Sequence, residues 1–391
     1  MSLKIKRMNM DLGNSMTFAM IDGDRNIIEI PTAQLEIPES KALGYFTEDI
    51  PKSNLKNSML LKVEGKYLLV GEAAERMLGN DSHIDGLHEK STSKLSEIMF
   101  YASIALYDAE VNTEVEDKTT INIDYFSTML PIFELLEADK FSDKTRAMAE
   151  RFSGDFSFEI ITNGCQKSID VKINNSKCYE EGRVAKFALK YNFDLTESET
   201  AEKFDRNITI NNDLGGGTID QVRLPKRLGN PKSRNDFKTI TEAPFLGAVK
   251  ELYEQKLRRY EFKSARDVED FIVKNYESGK YVVIDGKTGE KTDITDTIES
   301  ALKEYTYTIM PIIHNSFPSE QGEVYKYNYF GGVAPIIRKF IEEYITENFG
   351  ADVFDNYHHI EPDRTARFLN LFGLEIISRQ NTLTTSTKES N

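Results

Sequence analysis

The chain contains no tryptophan, two cysteines and eleven prolines in 391 residues. Cys165 and Cys178 are too few and too far apart for a zinc site, and no Cys-x-x-Cys occurs. No run reaches the roughly 18 apolar residues that a membrane-spanning helix needs. Asp11, Asp22 and Asp24 interrupt any early stretch that would serve as a secretory signal. The expected location is therefore cytoplasmic. Positive charge is also short, with 49 Lys and Arg against 64 Asp and Glu and a net charge of -15. Such a field repels phosphate backbones and anionic lipid, so neither direct nucleic-acid contact nor membrane attachment is expected. What is present is a composition 39% hydrophobic and 29% charged, the balance of a folded chain. The length predicts at least two lobes, each with its own core.

Period-two patterns and turn residues predict a hairpin between Ile5 and Ile30 and two further strands, 59–63 and 66–70, around Glu64-Gly65. The stretch 31–57, with Pro31, Pro38 and Pro51, reads as loop-rich. A helix is predicted over 93–109, followed by strands over 120–124, 156–161 and 171–173 and a helix opening near Glu181. Ile208 to Asn212 and Ile219 to Leu224 form a second hairpin. Helices are predicted over 247–259, 265–276, 294–314 and 334–348, with a frayed Thr- and Ser-rich end.

Several familiar motifs fail on inspection. Gly286-Lys287-Thr288 ends like a phosphate loop, but Tyr281 stands where the first glycine belongs. Gly215-x-Gly217 meets Asp220 instead of the third glycine of a dinucleotide fingerprint. His88-Glu89 lacks the second histidine of a zinc protease. His358 and His359 point to opposite sides of their element, which predicts a surface or interface role. What survives is Asp213-Leu214-Gly215-Gly216-Gly217-Thr218 at the bend of a predicted hairpin. Consecutive glycines let backbone N–H groups approach an anion and adopt positive φ, and a carboxylate at the strand end suits a hydrated Mg2+. Asp11-Leu12-Gly13-Asn14-Ser15 repeats the arrangement 202 positions earlier, with Ser15 offering a hydroxyl and an N–H. Two homologous α/β lobes would produce this echo. A third element, Gly331-Gly332-Val333, closes a strand and enters a helix at Pro335, a favoured first-turn position.

In that order and at those separations, these motifs resemble the actin, sugar kinase and heat-shock-chaperone ATPase superfamily over nearly the whole chain. The resemblance implies a two-lobed, actin-like (ribonuclease H-like) α/β fold, each lobe a mixed sheet flanked by helices, with nucleotide in the cleft between lobes. It implies domain I over 1–205, with a subdomain at roughly 30–90 and completed by helices at about 363–385. Domain II would span 206–362, with a subdomain at roughly 247–300. By resemblance, Asp11, Gly13, Asn14 and Ser15 form the first phosphate motif and Asp213, Gly215, Gly216, Gly217 and Thr218 the second. Gly331, Gly332 and Val333 lie at the adenosine, and Asp11 and Asp213 hold Mg2+. Lys274 is either an adenine-flanking lysine or a solvated helix residue.

Glu181-Gly182-Arg183-Val184-Ala185 resembles the Glu-Gly-x-x-Ala segment of ParM-type plasmid-partitioning actins, where the glutamate orients the attacking water; Glu180 is its competitor. Met129-Leu130-Pro131 resembles the strand end of the same group. Two features depart from the family. Phe18 stands where a phosphate-binding lysine is common, so a lysine from elsewhere, Mg2+ or backbone dipoles would balance the phosphates. Asn211-Asn212 replace aliphatic residues before Asp213. The resemblance implies an ATPase, using ATP or GTP with Mg2+, that polymerises head to tail into a homopolymer for plasmid DNA segregation. A small DNA-binding adaptor of the ParR type would link the filament to a centromere-like site. An MreB-like cytoskeletal filament and a divergent small-molecule kinase are the alternatives, with a non-polymerising regulatory ATPase behind them.

Overall fold

A computed structural model of the chain describes residues 2–78, 89–112, 116–318 and 320–389; His88 and part of the 30–90 segment lie outside the described residues. The chain forms two compact units, Met1–Thr196 with Leu371–Asn391, and Glu197–Asn370.

The first unit begins with β1 (Ser2–Leu12), β2 (Met16–Ile21) and β3 (Ile28–Pro31), the predicted hairpin extended by one strand. Then come β4 (Gln34–Ile37), β5 (Met59–Val63), β6 (Lys66–Val70) and β7 (Lys118–Leu130), followed by β8 (Gly154–Ile160), β9 (Lys167–Ile173) and β10 (Ser176–Glu180). β1 pairs antiparallel with β2 and parallel with β7. At 13 residues, β7 is long enough to serve two neighbours: its first half pairs with β9 and its second with β10, both parallel. β8 then passes the sheet on to β5, β6 and β4, which with Ala33, Ala73 and Ala74 build a satellite core.

The main core of this unit forms around the helix Lys94–Val111, capped by Ser93, whose hydroxyl accepts from Leu95 N at 3.2 Å. Its Phe100 ring packs edge-on against Phe126, Phe152 and Phe156 at 5.5 to 5.8 Å. Beneath β1 lies a buried polar knot. Glu375, fully enclosed on the C-terminal helix Leu369–Glu389, accepts from Arg7, Arg379 and Asn9, and Asn9 in turn accepts from Ser127 at 2.7 Å.

In the second unit, β11 (Ile208–Leu214), β12 (Ile219–Leu224) and β13 (Phe237–Ile240) are antiparallel. The hairpin β14 (Val282–Ile284) and β15 (Lys291–Asp293) stands apart, while β16 (Tyr325–Phe330) and β17 (His358–Ile360) join β11 in parallel. The order β13-β12-β11-β16-β17 repeats β3-β2-β1-β7-β10 strand for strand and sense for sense. The echo in sequence is therefore an echo in topology. It extends to Asn9 and Asn211, each two residues before its aspartate.

Asn211 and Asn212, unexpected in a strand core, are fully buried and bonded across the sheet. Asn328 donates to Asn211 at 3.0 Å, Gln221 donates to Asn212 at 2.7 Å, and Asn212 donates to the Asn328 carbonyl at 2.9 Å.

Several predicted elements shift. Within 31–57 the chain forms β4 and two short helical turns, Glu39–Ala42 and Lys52–Asn57. The helix expected near Glu181 starts only at Ala185, because β10 continues through Glu180 and Gly182 turns the chain at φ 69°. The expected fraying of the C-terminus gives way to helix as far as Glu389; Thr382 Oγ1 bonds back to the Ser378 carbonyl at 3.0 Å, so its hydroxyl does not compete with the backbone.

His358 is buried instead of superficial. Its ring lies nearly parallel to Tyr327, Tyr329 and Phe354, and the buried Tyr329 hydroxyl sits between His358 Nδ1 at 3.1 Å and His314 Nε2 at 3.2 Å. His359 instead meets Glu361 at 3.0 Å. Among the described residues, no helix is long and apolar enough to cross a membrane.

Candidate functional site

The first phosphate motif is the bend between β1 and β2. A Cβ on Gly13 would be driven into the carbonyl of Met16, so the bend closes too tightly for any other residue. Thr32 fixes it from outside: its hydroxyl donates to Gly13 O at 2.8 Å, meets Thr17 Oγ1 at 3.0 Å, and its N–H donates to Ser15 O at 2.9 Å. Asp11, Asn14 and Ser15 remain half-exposed at the strand end.

In the same unit, the turn after β10 carries Glu181, which is tied by its N–H to the end of β7 at Leu130 O, 3.0 Å away. The C-terminal helix crosses this turn at Gly373, where a Cβ would strike the Val184 carbonyl. Glu180 and Glu181 have different partners. Glu180 pairs with Arg183 at 2.5 Å, whereas Glu181 accepts from Lys90 Nζ at 2.6 Å.

Lys90 had no signal in the sequence. It lies with Gly13, Asn14, Thr17 and Thr32 around a small cavity of about 20 Å3 beneath the bend. Its backbone is held by Glu134, a fully buried carboxylate that accepts from the N–H groups of Lys90 and Ser91. Glu134 sits on the short helix Ile132–Glu137 that follows Pro131, so the Leu-Pro strand end aims this carboxylate at Lys90. Burial pushes the pKa of Glu134 upward against those bonds. At Lys90, burial alone would favour the neutral amine. The carboxylates of Glu181, Asp11 and Glu134 outweigh it, and the pKa moves up.

The second phosphate motif, in the other unit, is the bend between β11 and β12. None of Gly215, Gly216 and Gly217 adopts the expected positive φ. Gly215 is needed for room instead, and Gly216 is a tight fit. A Cβ on Gly215 would lie 2.9 Å from Thr218 O, and one on Gly216 would lie 3.3 Å from Leu246. Gly215 N donates to Thr218 O at 3.0 Å, and Leu246 N donates to Gly216 O at 2.9 Å. The Asp213 carboxylate accepts from Asn370 Nδ2 at 2.6 Å.

Positive φ belongs to Gly331, at 89°, where a Cβ would collide with Asp213 Oδ1 and lie within 2.8 Å of the Leu214 backbone. Gly331 N donates to Ala366 O and Val333 N to Leu214 O, so the expected adenosine motif rests directly on the strand end that carries Asp213. Pro335 lies in the first turn of the helix Ala334–Phe349, as predicted.

The structure thus brings together Asp213, Gly215 and Gly216 with Gly331 and Val333. It leaves Lys274 exposed near the end of its helix, Ala265–Asn275. The residue of that helix beside Gly216 is Glu269, paired with Arg266, its carboxyl pushed up by burial. Among the described residues, no group of three or more His, Cys, Asp or Glu side chains converges on a metal. One carboxylate per strand end is the donor set Mg2+ uses when phosphates and water complete its shell, so the residues fit that ion.

Residues 208–364 match the Alp7A C-terminal domain family. The crystal structure of the actin-like protein Alp7A is similar throughout, at 38% identity over 99% of both chains with a TM-score of 0.91. Bacillus thuringiensis ParM with ATP shares 17% identity over 96% of this chain and 98% of that one, with a TM-score of 0.67. A 15-stranded ParM filament from Clostridium botulinum shares 15% over 97% and 100%, with a TM-score of 0.66. These last two likenesses are of fold. No curated protein matches the chain. The 38% identity to Alp7A across nearly all of the chain, on two copies of one five-stranded topology each ending in an Asp-Leu-Gly bend, decides the matter: the chain belongs to the Alp7A family of actin-like proteins.

Proposed function

We propose that this protein is an ATPase that polymerises head to tail into nucleotide-dependent filaments and segregates plasmid DNA in the cytoplasm. The observation that carries the reading is the duplication itself. Two homologous sheets each end in an aspartate followed by a glycine bend too tight for side chains, one with Ser15 and the other with Thr218. Such bends present backbone N–H groups to phosphate.

Gly13, Asn14 and Ser15 in one unit and Gly215, Gly216, Gly217 and Thr218 in the other are the proposed phosphate ligands; Gly331, Gly332 and Val333 flank the adenosine. Mg2+, held through water by Asp213 and Asp11, would offset phosphate charge when bound. Glu181 would orient a water whose oxygen attacks the γ-phosphorus while its proton passes to the carboxylate. The bond to the β,γ-bridging oxygen breaks, and ADP carries that electron pair away. A heterologous contact that does not close then propagates into a filament. The net charge of -15 argues for a basic adaptor of the ParR type between filament and DNA.

Light scattering and electron microscopy after addition of ATP and Mg2+ test the reading. Filaments are expected for the wild type and none for Asp213→Ala. Glu181→Ala should assemble and release phosphate slowly, and normal release by that variant would move the role to Glu180. A wild-type chain that neither binds ATP nor assembles well above micromolar concentration would overturn the proposal.

A further inference from the structure

The ion pair between Lys90 and Glu181 does not resemble ordinary structural pairing. Both side chains are nearly enclosed, at 7% and 12% exposure, and the pair joins the floor of the first phosphate bend to the glutamate proposed to orient water. An ammonium has three N–H donors. Among the described residues, Glu181 is the one side chain that accepts from Lys90. The lysine is built in from behind: Glu134 grips its backbone N–H, Ser96 Oγ donates to its carbonyl at 2.9 Å, and Arg151 reaches the carbonyls of Lys90, Ser91 and Ser93. The basic position missing after the first bend is thus supplied from a different segment. Arg25, the next basic residue after Phe18 in sequence, is engaged over the Phe193 ring at 5.0 Å.

We propose that Lys90 is a cation shared between Glu181 and the terminal phosphate of the nucleotide, so that arrival of the γ-phosphate draws the ammonium away and frees the glutamate to hold water. Without a γ-phosphate, Glu181 is occupied by the lysine and cannot accept from water at the oxygen it uses for the pair. With one, the more concentrated phosphate charge competes for the same ammonium, which in its absence faces the carboxylates of Glu181 and Asp11. The glutamate is thereby readied by the substrate it acts on and is unavailable once only a diphosphate remains.

This inference rests on the reading that the Gly13–Ser15 bend takes the terminal phosphate. Its test is the ratio of affinities for ATP and ADP, measured by equilibrium binding with each nucleotide, together with the single-turnover hydrolysis rate. Lys90→Met should lower the ATP to ADP affinity ratio by about 10- to 100-fold, the value of one charged hydrogen bond. Glu181→Gln, which releases the lysine, should raise the ratio while slowing hydrolysis. Equal loss of both nucleotides in Lys90→Met, or an unchanged ratio with slow hydrolysis, would reduce Lys90 to a positioning residue for Glu181 and overturn the proposal. Should Lys90→Met not fold, an unchanged or lowered ratio in Glu181→Gln overturns it equally. Absence of ATP binding by the wild type would instead sink the functional reading beneath it.

Discussion

Acidification from about pH 7.5 to about pH 5.5 should weaken the second unit through two histidines, and the size of the effect follows from their burial. Burial pushes His314 down to about 4, and burial with the nearby His314 and Lys326 pushes His358 down to about 3. Between them, the Tyr329 hydroxyl has a single proton to give, donating to one ring, which must be neutral to accept it, and accepting from the other. The unfolded chain protonates each ring at about pH 6.5, whereas the folded chain does so only near the depressed values. The unfolded state therefore binds more protons as the pH falls through this window, and the stability contribution present above about 6.5 is lost on the way down. At about pH 5.5 each ring contributes a loss near 1.4 kcal/mol, or about 2.5 to 3 kcal/mol together. Urea unfolding followed by circular dichroism at the two pH values, in the wild type and in the His314→Asn, His358→Phe double variant, isolates the effect. Phenylalanine keeps the ring stack at position 358 and removes the proton site. If wild type and double variant lose the same stability between the two pH values, the burial argument is wrong.

Gly331→Ala should weaken ATP binding and cost about 1 to 2 kcal/mol of stability from the left-handed backbone, because the new Cβ would displace the Asp213 carboxylate; unchanged nucleotide affinity in a titration would separate that glycine from the site. Glu375→Ala should destabilise the first unit by about 3 to 5 kcal/mol, since it strips the common acceptor from Arg7, Asn9 and Arg379, and Glu375→Gln should cost less. A thermal midpoint close to wild type for Glu375→Ala would show that the knot is solvated or rearranged.

What the sequence revealed was local. The hairpins around Asp11 and Asp213, the helix over 93–109 and the helix entered at Pro335 all depend on residues close together in the chain, and turn chemistry and periodicity report such features directly. Gly331 is a mixed case: its place at a strand end was legible, but its φ and its collision with Asp213 arise from a strand 117 residues away from Asp213's own. Lys90 was invisible because nothing around it marks a phosphate site; it gains meaning only when Glu134 and Glu181, from later segments, close on it. Asn211 and Asn212 looked like departures because the pattern scores polarity one strand at a time, whereas their amides are satisfied by neighbouring strands. The same blindness put His358 on the surface, when Tyr327, Tyr329 and Phe354 enclose it.

The C-terminal helix has a consequence for how the protein is made. Arg7 and Asn9 leave the ribosome long before Glu375, whose carboxylate satisfies them, and all of the second unit is translated in between. The first unit must therefore wait, its central strand unsealed, until Glu375 has been made, while the second can mature as an uninterrupted stretch. A chain interrupted between Asn370 and Glu375 would have a sound second unit and a first unit left open at its middle strand.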